Sequence, residues 1–205
     1  MGLTLTLTPP LLTFLRLSPL LSTTGSLTHA YMEWLTTSSF LHAAPTTSGL
    51  SKSVLKSYTP TTSPVNVEEL DAAKEKVAPA WFVNFFSQGV WSVIGLNSIT
   101  LLSATTNLYL FPAGLDKNTR FYALGLLAAV THYAFVPLVV PSVESLFKKC
   151  AVQEKGEESA EAGKSAVENV SEWVGYHKIR MCTVDMVAWV CFAVGVVGAV
   201  TARGV

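Results

Sequence analysis

The sequence has little charge and few cysteines. Only 14% of its 205 residues are charged, against roughly 25% in an ordinary soluble domain. The 14 basic residues balance the 14 acidic ones, which argues against nucleic acid as a partner because such proteins carry a basic excess. Half of the chain is hydrophobic, which excludes a disordered polymer. Three cysteines without a CxxC pair support neither a disulfide framework nor a thiolate zinc site.

Several motifs that would hold a cofactor or a metal are also missing. The sequence contains no GxGxxG, GxxxxGK[ST], HExxH or GxSxG. It also lacks the Glu-x-x-His repeats of di-iron helical bundles. We therefore expect no tightly bound cofactor and no metal site.

Long apolar runs are abundant. Residues 80–102, 121–143 and about 180–202 are long enough to cross a bilayer, since about 20 apolar residues span its core. Polar residues within the first run indicate that one of its faces meets protein or water rather than lipid. These three runs predict membrane helices.

The N-terminal segment has two interpretations. A signal peptide would have its apolar region interrupted by Arg16 and Pro19, and no suitable cleavage site follows. We favour a membrane helix over residues 11–35, with Arg16 extending toward one membrane surface. The predicted fold is then all-α, a four-helix transmembrane bundle in which residues 1–205 form a single integral membrane domain.

Residues 43–78 and 148–172 are predicted to be polar loops. The charged sequence VEELDAAKEK within the first favours a short amphipathic helix before Pro79, and the Ala/Glu-rich composition of the second is compatible with a partly helical segment. Most lysines lie in these two segments. Because positively charged loops stay in the cytosol, we expect both loops to be cytosolic and both termini lumenal, in the endoplasmic reticulum or another endomembrane.

The start of the last predicted helix has the strongest cluster of reactive side chains. Trp173, His177 and Arg180 share one helical face, since residues three and four apart are neighbours. Asp185 lies deeper in the apolar run and needs a partner there, for which Arg180 is the nearest candidate. Anchoring at the membrane interface is the alternative interpretation of Trp173 and Lys178.

Two further groups of polar residues are candidates. His29 and Glu33 are four residues apart on the first helix, where an imidazole beside a carboxylate can act as a general base; a wetted helix end is the alternative. His132 lies within the third run and needs a hydrogen-bond partner, such as Asn97, Gln88 or a backbone carbonyl. The predicted catalytic residues are therefore His177, Arg180, Asp185, His29 and Glu33, with Trp173, His132 and Asn97 lining a substrate pocket.

The order of these features resembles the anthrone oxygenase-like family of small fungal and bacterial membrane proteins. The matching segments are LSTTGSLTHAYME, WFVNFFSQGVW, FVPLVVPSVESL and WVGYHKIR. The chain departs from the family pattern after Pro141, where Ser142 stands in place of the Asn that is frequent in the family. It is also similar to small membrane proteins of fungal polyketide gene clusters with epoxidase or epoxide-opening roles.

The resemblance implies a tailoring enzyme of fungal secondary metabolism, with Trp173, His177 and Arg180 at positions that match the family pattern. The other site residues come from the chemistry of the sequence alone. Three functions remain open. One is cofactor-independent oxygenation or epoxidation of a hydrophobic polyketide, another is hydrolysis or cyclisation of a polyketide epoxide, and the third is a non-catalytic scaffold for pathway enzymes. The expected partners are the lipid bilayer, a hydrophobic small molecule and, for the scaffold, the other enzymes of the pathway.

The apolar runs predict that the protein is integral to the membrane. Alkaline carbonate extraction of membranes should therefore leave it in the pellet, together with a known membrane-spanning marker. Release into the supernatant, alongside a peripheral marker, would contradict the membrane interpretation.

Overall fold

A computed structural model describes residues 7–42, 48–54, 67–113, 115–156 and 163–201. These parts of the chain are helical and contain no β-strand, which confirms the all-α prediction. The helices are α1 (Pro9–Leu41), α2 (Gly49–Val54), α3 (Val67–Tyr109), α4 (Thr119–Thr131), α5 (Val136–Glu154), α6 (Ala166–Arg180) and α7 (Met186–Thr201).

Two pairs of these helices are nearly continuous. A 3₁₀ turn, His132–Phe135, joins α4 to α5, and a π-helical turn, Met181–Asp185, joins α6 to α7. Pro137 accounts for the first irregularity, because proline lacks the N–H that an α-helical bond to Tyr133 would need. Three segments of the described residues are long and apolar enough to cross a membrane, namely Glu68–Tyr109, Thr119–Glu154 and Ala166–Thr201.

The helices are longer than the predicted spans. The predicted spans 11–35 and 80–102 lie inside α1 and α3, and 121–143 lies inside the run from α4 to α5. The span 180–202 lies within the run from α6 to α7, except that residue 202 falls outside the described residues. Prolines do not end these helices: Pro19, Pro79 and Pro141 lie inside α1, α3 and α5.

The predicted loops need a partial correction, whereas the helix predicted at VEELDAAKEK is confirmed and forms the first turns of α3. In the 43–78 segment, residues 49–54 form α2 and residues 67–78 continue into α3, whereas residues 43–47 and 55–66 lie outside the described part. In the 148–172 segment, α5 continues to Glu154 and α6 begins at Ala166, whereas residues 157–162 lie outside the described part. The polar composition of these segments predicted exposure to water. A helix can nevertheless extend into water when the N–H and C=O groups at its ends are capped.

The start of α6 is capped in this way. The Ser165 hydroxyl accepts from the Glu168 N–H at 3.1 Å, and the Glu168 carboxylate accepts from the Ser165 N–H at 2.8 Å. Glu75 of α3 also accepts from the Ala166 and Val167 N–H groups. The beginning of α6 is therefore fixed to the beginning of α3.

Long helices that follow one another along the chain run antiparallel. At one end, Lys74 of α3 donates to the last carbonyl of α1, at Leu41, and Gln153 of α5 donates to the Lys76 carbonyl. At the opposite end, Arg16 donates to the Ala113 carbonyl at 2.6 Å. The two long connections, after α1 and after α5, therefore lie at the same end of the molecule.

Many polar side chains are buried, and many large apolar side chains are exposed. Trp91, Leu102 and Leu127 have 72%, 70% and 63% of their surface exposed. The buried side chains include many polar ones, namely Arg16, Ser22, Glu33, Thr37, Asn97, Thr100, Asn107, His132, Asn169, His177 and Asp185. This is the reverse of a water-soluble protein, in which such groups are mostly exposed.

Several buried polar groups join helices to one another. Ser22 of α1 bonds to Thr100 of α3 at 2.7 Å between their hydroxyl oxygens. Asn107 of α3 donates to the Leu15 carbonyl of α1 at 2.8 Å. Interhelical bonds of this kind stabilise helix pairs whose outer surfaces are apolar.

Helices α4 and α7 approach closely through two glycines that face aromatic rings. A Cβ atom at Gly195 would lie 2.9 Å from the Tyr122 ring, and one at Gly125 would lie 2.8 Å from the Phe192 ring. The Tyr122 hydroxyl donates to the Arg16 carbonyl at 2.7 Å, which restrains the ring. The contact between α4 and α7 therefore depends on the absence of side chains at these two positions.

Replacing Gly195 by Ala should reduce the free energy of unfolding by about 1–3 kcal/mol, the usual cost of overpacking. The matched control is Gly95→Ala, because a Cβ there meets no atom within 4 Å. Alanine at that position should leave stability unchanged or raise it by up to about 1 kcal/mol. Circular dichroism during unfolding in detergent micelles measures both variants, and equal stability of the two would contradict the packing argument.

Candidate functional site

A cavity of about 300 Å³ lies among α1, α3, α5 and α6. One wall is polar and contains Glu33, Asn97, His132, His177 and Arg180. The apolar lining side chains come mainly from α3 and α5, for example Phe86, Val90, Val93, Val139 and Val143. The volume is at the lower end of the range for small-molecule sites, about 300–1,000 Å³.

The cavity lies at the junction of two packed clusters of apolar side chains. One cluster joins α3, α4 and α7 around Tyr122 and Phe192, and the other joins α3, α5 and α6 around Phe82 and Trp173. Between them, the chain leaves α-helical geometry at both His132–Phe135 and Met181–Asp185. Turns of π-helix inside α-helices often occur at functional sites.

These two irregular turns bring His132 and Asp185 together. His132 Nδ1 lies 2.8 Å from Asp185 Oδ1, and both side chains are buried. Because a carboxylate only accepts, Nδ1 carries the proton, and in the neutral ring Nε2 then has the lone pair. Nε2 has no hydrogen-bond partner among the described residues, and the side chain lines the cavity.

Asp185 also holds Arg180. Arg180 Nε donates to Asp185 Oδ2 at 3.2 Å, so that the carboxylate is shared between a guanidinium and an imidazole. This pair agrees with the partner expected within the last helix. The partner of His132 differs from the expected Asn97, Gln88 or carbonyl: it is Asp185, because the two irregular turns face each other.

His177 is fixed by bonds to both of its ring nitrogens. Nε2 lies 2.8 Å from the Ala30 carbonyl of α1, and Nδ1 lies 3.2 Å from an Arg180 nitrogen. A carbonyl only accepts and a guanidinium only donates, so Nε2 carries the proton and the ring is neutral. Trp173 stacks on the imidazole, with 4.9 Å between ring centroids. His177 therefore orients Arg180 and has no free lone pair.

Glu33 is a buried carboxylate on the same wall. Its Oε2 lies 3.5 Å from His29 Nδ1 and 3.8 Å from His177 Nε2. Gly89 of α3 permits this placement, because a Cβ there would lie 2.7 Å from Glu33 Oε1. The site therefore requires glycine at position 89. The sequence analysis missed this residue, because the pattern of one helix does not show how closely another helix approaches it.

The predicted site residues are brought together with one exception. Glu33, Asn97, His132, Trp173, His177 and Arg180 line the cavity, and Asp185 contacts two of them from behind. His29 instead lines an outer groove between α1 and α3. Tyr176 was missed as a lining residue, although its position three residues after Trp173 was a signal for it.

Among the described residues, no group of three or more His, Cys, Asp or Glu side chains is placed to hold a metal ion. The arrangement provides an imidazole base oriented by a carboxylate, a cation and a second carboxylate at one apolar cavity. Over the described residues, the protein is thus helical, with three segments long and apolar enough to cross a membrane and a cavity lined by His, Arg and Glu side chains. Scans against family models, curated proteins and solved structures find no match to the chain.

The two buried histidines should have opposite tautomers. We expect His132 to carry its proton on Nδ1 and His177 on Nε2, because of their respective partners Asp185 and the Ala30 carbonyl. The sequence has only four histidines, so ¹⁵N-histidine spectra in micelles can resolve each ring, with His→Gln variants for assignment. Asp185→Ala should change the His132 signals and leave the Nε2–H tautomer of His177 in place. The same tautomer for both rings in the unaltered protein would contradict the network.

Proposed function

We propose that the protein is a four-helix transmembrane bundle whose fourth span is α1. The exposed apolar side chains support this, since they suit contact with lipid. Helix α1 is rich in Ser and Thr, but many of these hydroxyls donate to carbonyls one turn earlier, as in Ser18 to Phe14 and Thr24 to Leu20. Hydroxyls bonded in this way are tolerated in a membrane helix.

The placement of the connections supports the predicted orientation. Both lysine-rich connections emerge at the same end of the bundle, which is compatible with two cytosolic loops under the positive-inside rule. Lys178 lies over the Trp34 ring, 5.4 Å from its centroid, and such pairs are frequent at membrane surfaces. We assign the protein to an endomembrane, such as that of the endoplasmic reticulum, with this end in the cytosol.

Within this bundle we propose an enzyme that oxygenates a hydrophobic substrate without a bound cofactor. The observation that supports it best is the His132–Asp185 pair at the cavity. Asp185 holds Nδ1–H, so that Nε2 is available as a general base, the arrangement that orients histidine in many acid–base sites. The geometry favours His132 over His177 as the base, because both nitrogens of His177 are engaged.

The chemistry requires an acidic C–H group in the substrate. His132 removes a proton from a CH₂ flanked by aryl or carbonyl groups, and Arg180 stabilises the resulting enolate or phenolate oxygen. The electron-rich anion transfers electrons to O₂, and its carbon bonds to O₂ to give a peroxide anion. The imidazolium protonates this anion to a hydroperoxide. Loss of water gives a carbonyl, so that R₂CH₂ and O₂ become R₂C=O and H₂O. The resemblance to anthrone oxygenases favours a polyketide as the substrate.

Epoxide opening is the second candidate, favoured by Glu33. This carboxylate lines the same cavity as His132, and an acid together with a base is what this reaction needs. Protonated Glu33 would donate to the epoxide oxygen while His132 activates water or a substrate hydroxyl. The product would then take its new oxygen from water or from the substrate.

The proposal is tested with membranes from cells that express the protein, incubated with anthrone under ¹⁸O₂. We expect one ¹⁸O atom in the new carbonyl. His132→Ala should lower the rate by about 10²–10⁴-fold, the usual contribution of a general base. The matched control is His42→Ala, because His42 is exposed at the end of α1 and, among the described residues, its side chain hydrogen-bonds to the Ser38 carbonyl of the same helix.

The remaining outcomes separate the alternatives. Conversion of an aryl epoxide such as styrene oxide, with ¹⁸O taken from H₂¹⁸O, would favour epoxide opening. A third outcome would favour the non-catalytic scaffold. In that outcome, the metabolites of the producing organism are unchanged by His132→Ala and are lost when residues 157–162 are deleted. Equal rates for the His132 and His42 variants would contradict His132 as the base.

A further inference from the structure

The apolar side of the cavity reaches the outer surface of the protein between α3 and α5. Four of its lining residues, Ile94, Tyr133, Val136 and Val140, have 45–47% of their surface exposed. A side chain enclosed within a protein does not keep nearly half of its surface accessible. These four residues therefore border both the cavity and the outer surface, and the boundary that they form is here called the lateral mouth.

The lateral mouth lies far from both ends of the helices. Ile94 is near the middle of the charge-free residues 77–115, and Val136 is at the middle of the Thr119–Glu154 segment. Exposed apolar side chains flank it, including Trp91 and Leu138. In the proposed orientation, the lateral mouth opens at the depth of the hydrocarbon core, about 30 Å thick.

The lining of the cavity has different chemistry at this opening and away from it. Side chains at the lateral mouth are apolar, whereas Glu33 and Arg180 belong to α1 and α6, which do not border the mouth, and His132 lies one turn before Val136. A molecule that enters through the lateral mouth would meet the polar groups with its leading edge. Its apolar remainder would stay against the valines of α3 and α5.

We propose that the cavity takes its substrate directly from the bilayer through the lateral mouth. The substrate class is a compact, lipid-dissolved ring compound with one ionisable group at its leading edge. A complete phospholipid does not fit a cavity of about 300 Å³. The inference rests on the membrane placement given under the proposed function, but it does not depend on which reaction follows.

Trp173 can report on entry, because it lines the cavity and is only 5% exposed. In a variant with Phe at positions 34, 81, 91 and 189, it is the only tryptophan. Bromobenzene is a suitable probe, since it is compact, dissolves in lipid and quenches tryptophan on contact. We expect saturable quenching of Trp173 in phosphatidylcholine vesicles, and little quenching by aqueous iodide.

Closing the lateral mouth should weaken this quenching. Val136→Phe and Val140→Phe lie on one face of α5, and together they should raise the half-saturating concentration of bromobenzene about tenfold, equivalent to about 1.4 kcal/mol. Each single substitution should give a smaller increase. Val187→Phe is the matched control, because Val187 is 51% exposed and does not line the cavity.

Three outcomes would overturn the proposal. If bromobenzene does not quench Trp173, the cavity is closed to lipid. If iodide quenches it strongly, the cavity is open to water. Equal effects of the mouth variants and Val187→Phe would place the entrance elsewhere. A variant in which only Trp91 is retained checks that the probe reaches the bilayer. None of these measurements requires turnover, so a failure of the proposed reaction leaves the test of entry intact.

Discussion

The structure depends on one shared carboxylate. Asp185 accepts from both Arg180 and His132, and without it the guanidinium and the buried imidazole would each lose their carboxylate hydrogen-bond partner. Removing one member of a buried pair is costly because the other charge stays desolvated. The path of the chain follows from this requirement, since the π-helical turn that ends at Asp185 places its carboxylate within reach of Arg180, five residues earlier.

The same requirement links helices that are distant in the sequence. His132 connects the turn between α4 and α5 to Asp185, Arg180 connects Asp185 to His177, and His177 connects α6 to the Ala30 carbonyl of α1. Each of these polar side chains thus has a hydrogen-bond partner. The cavity lies beside this chain of bonds, where His132 Nε2 and the Glu33 carboxylate lie on its wall.

Composition and spacing were sufficient to predict the helical fold and most members of the candidate site. His29 and Glu33, and likewise His177 and Arg180, are neighbours because a regular helix brings residues three or four apart together. The partner of His132 could not be predicted in this way, because it depends on two turns that are not α-helical. Gly89 was missed for a similar reason: its role is defined by a carboxylate on another helix. The helix ends were predicted too short, because the prediction followed hydropathy and the caps lie in polar sequence.

The two ends of the molecule differ in how many inserted residues they can tolerate. At the end that carries the long connections, α3 begins about 15 Å before its charge-free region, at 1.5 Å per residue, and the polar turns of α5 and α6 accompany it. Extra residues in these connections would lengthen a segment remote from the cavity. The opposite end is a short turn in which Ala113 accepts from Arg16 and Asn118 packs against Gly198. One inserted residue there would break both contacts, so natural length variation and engineered insertions belong at the first end.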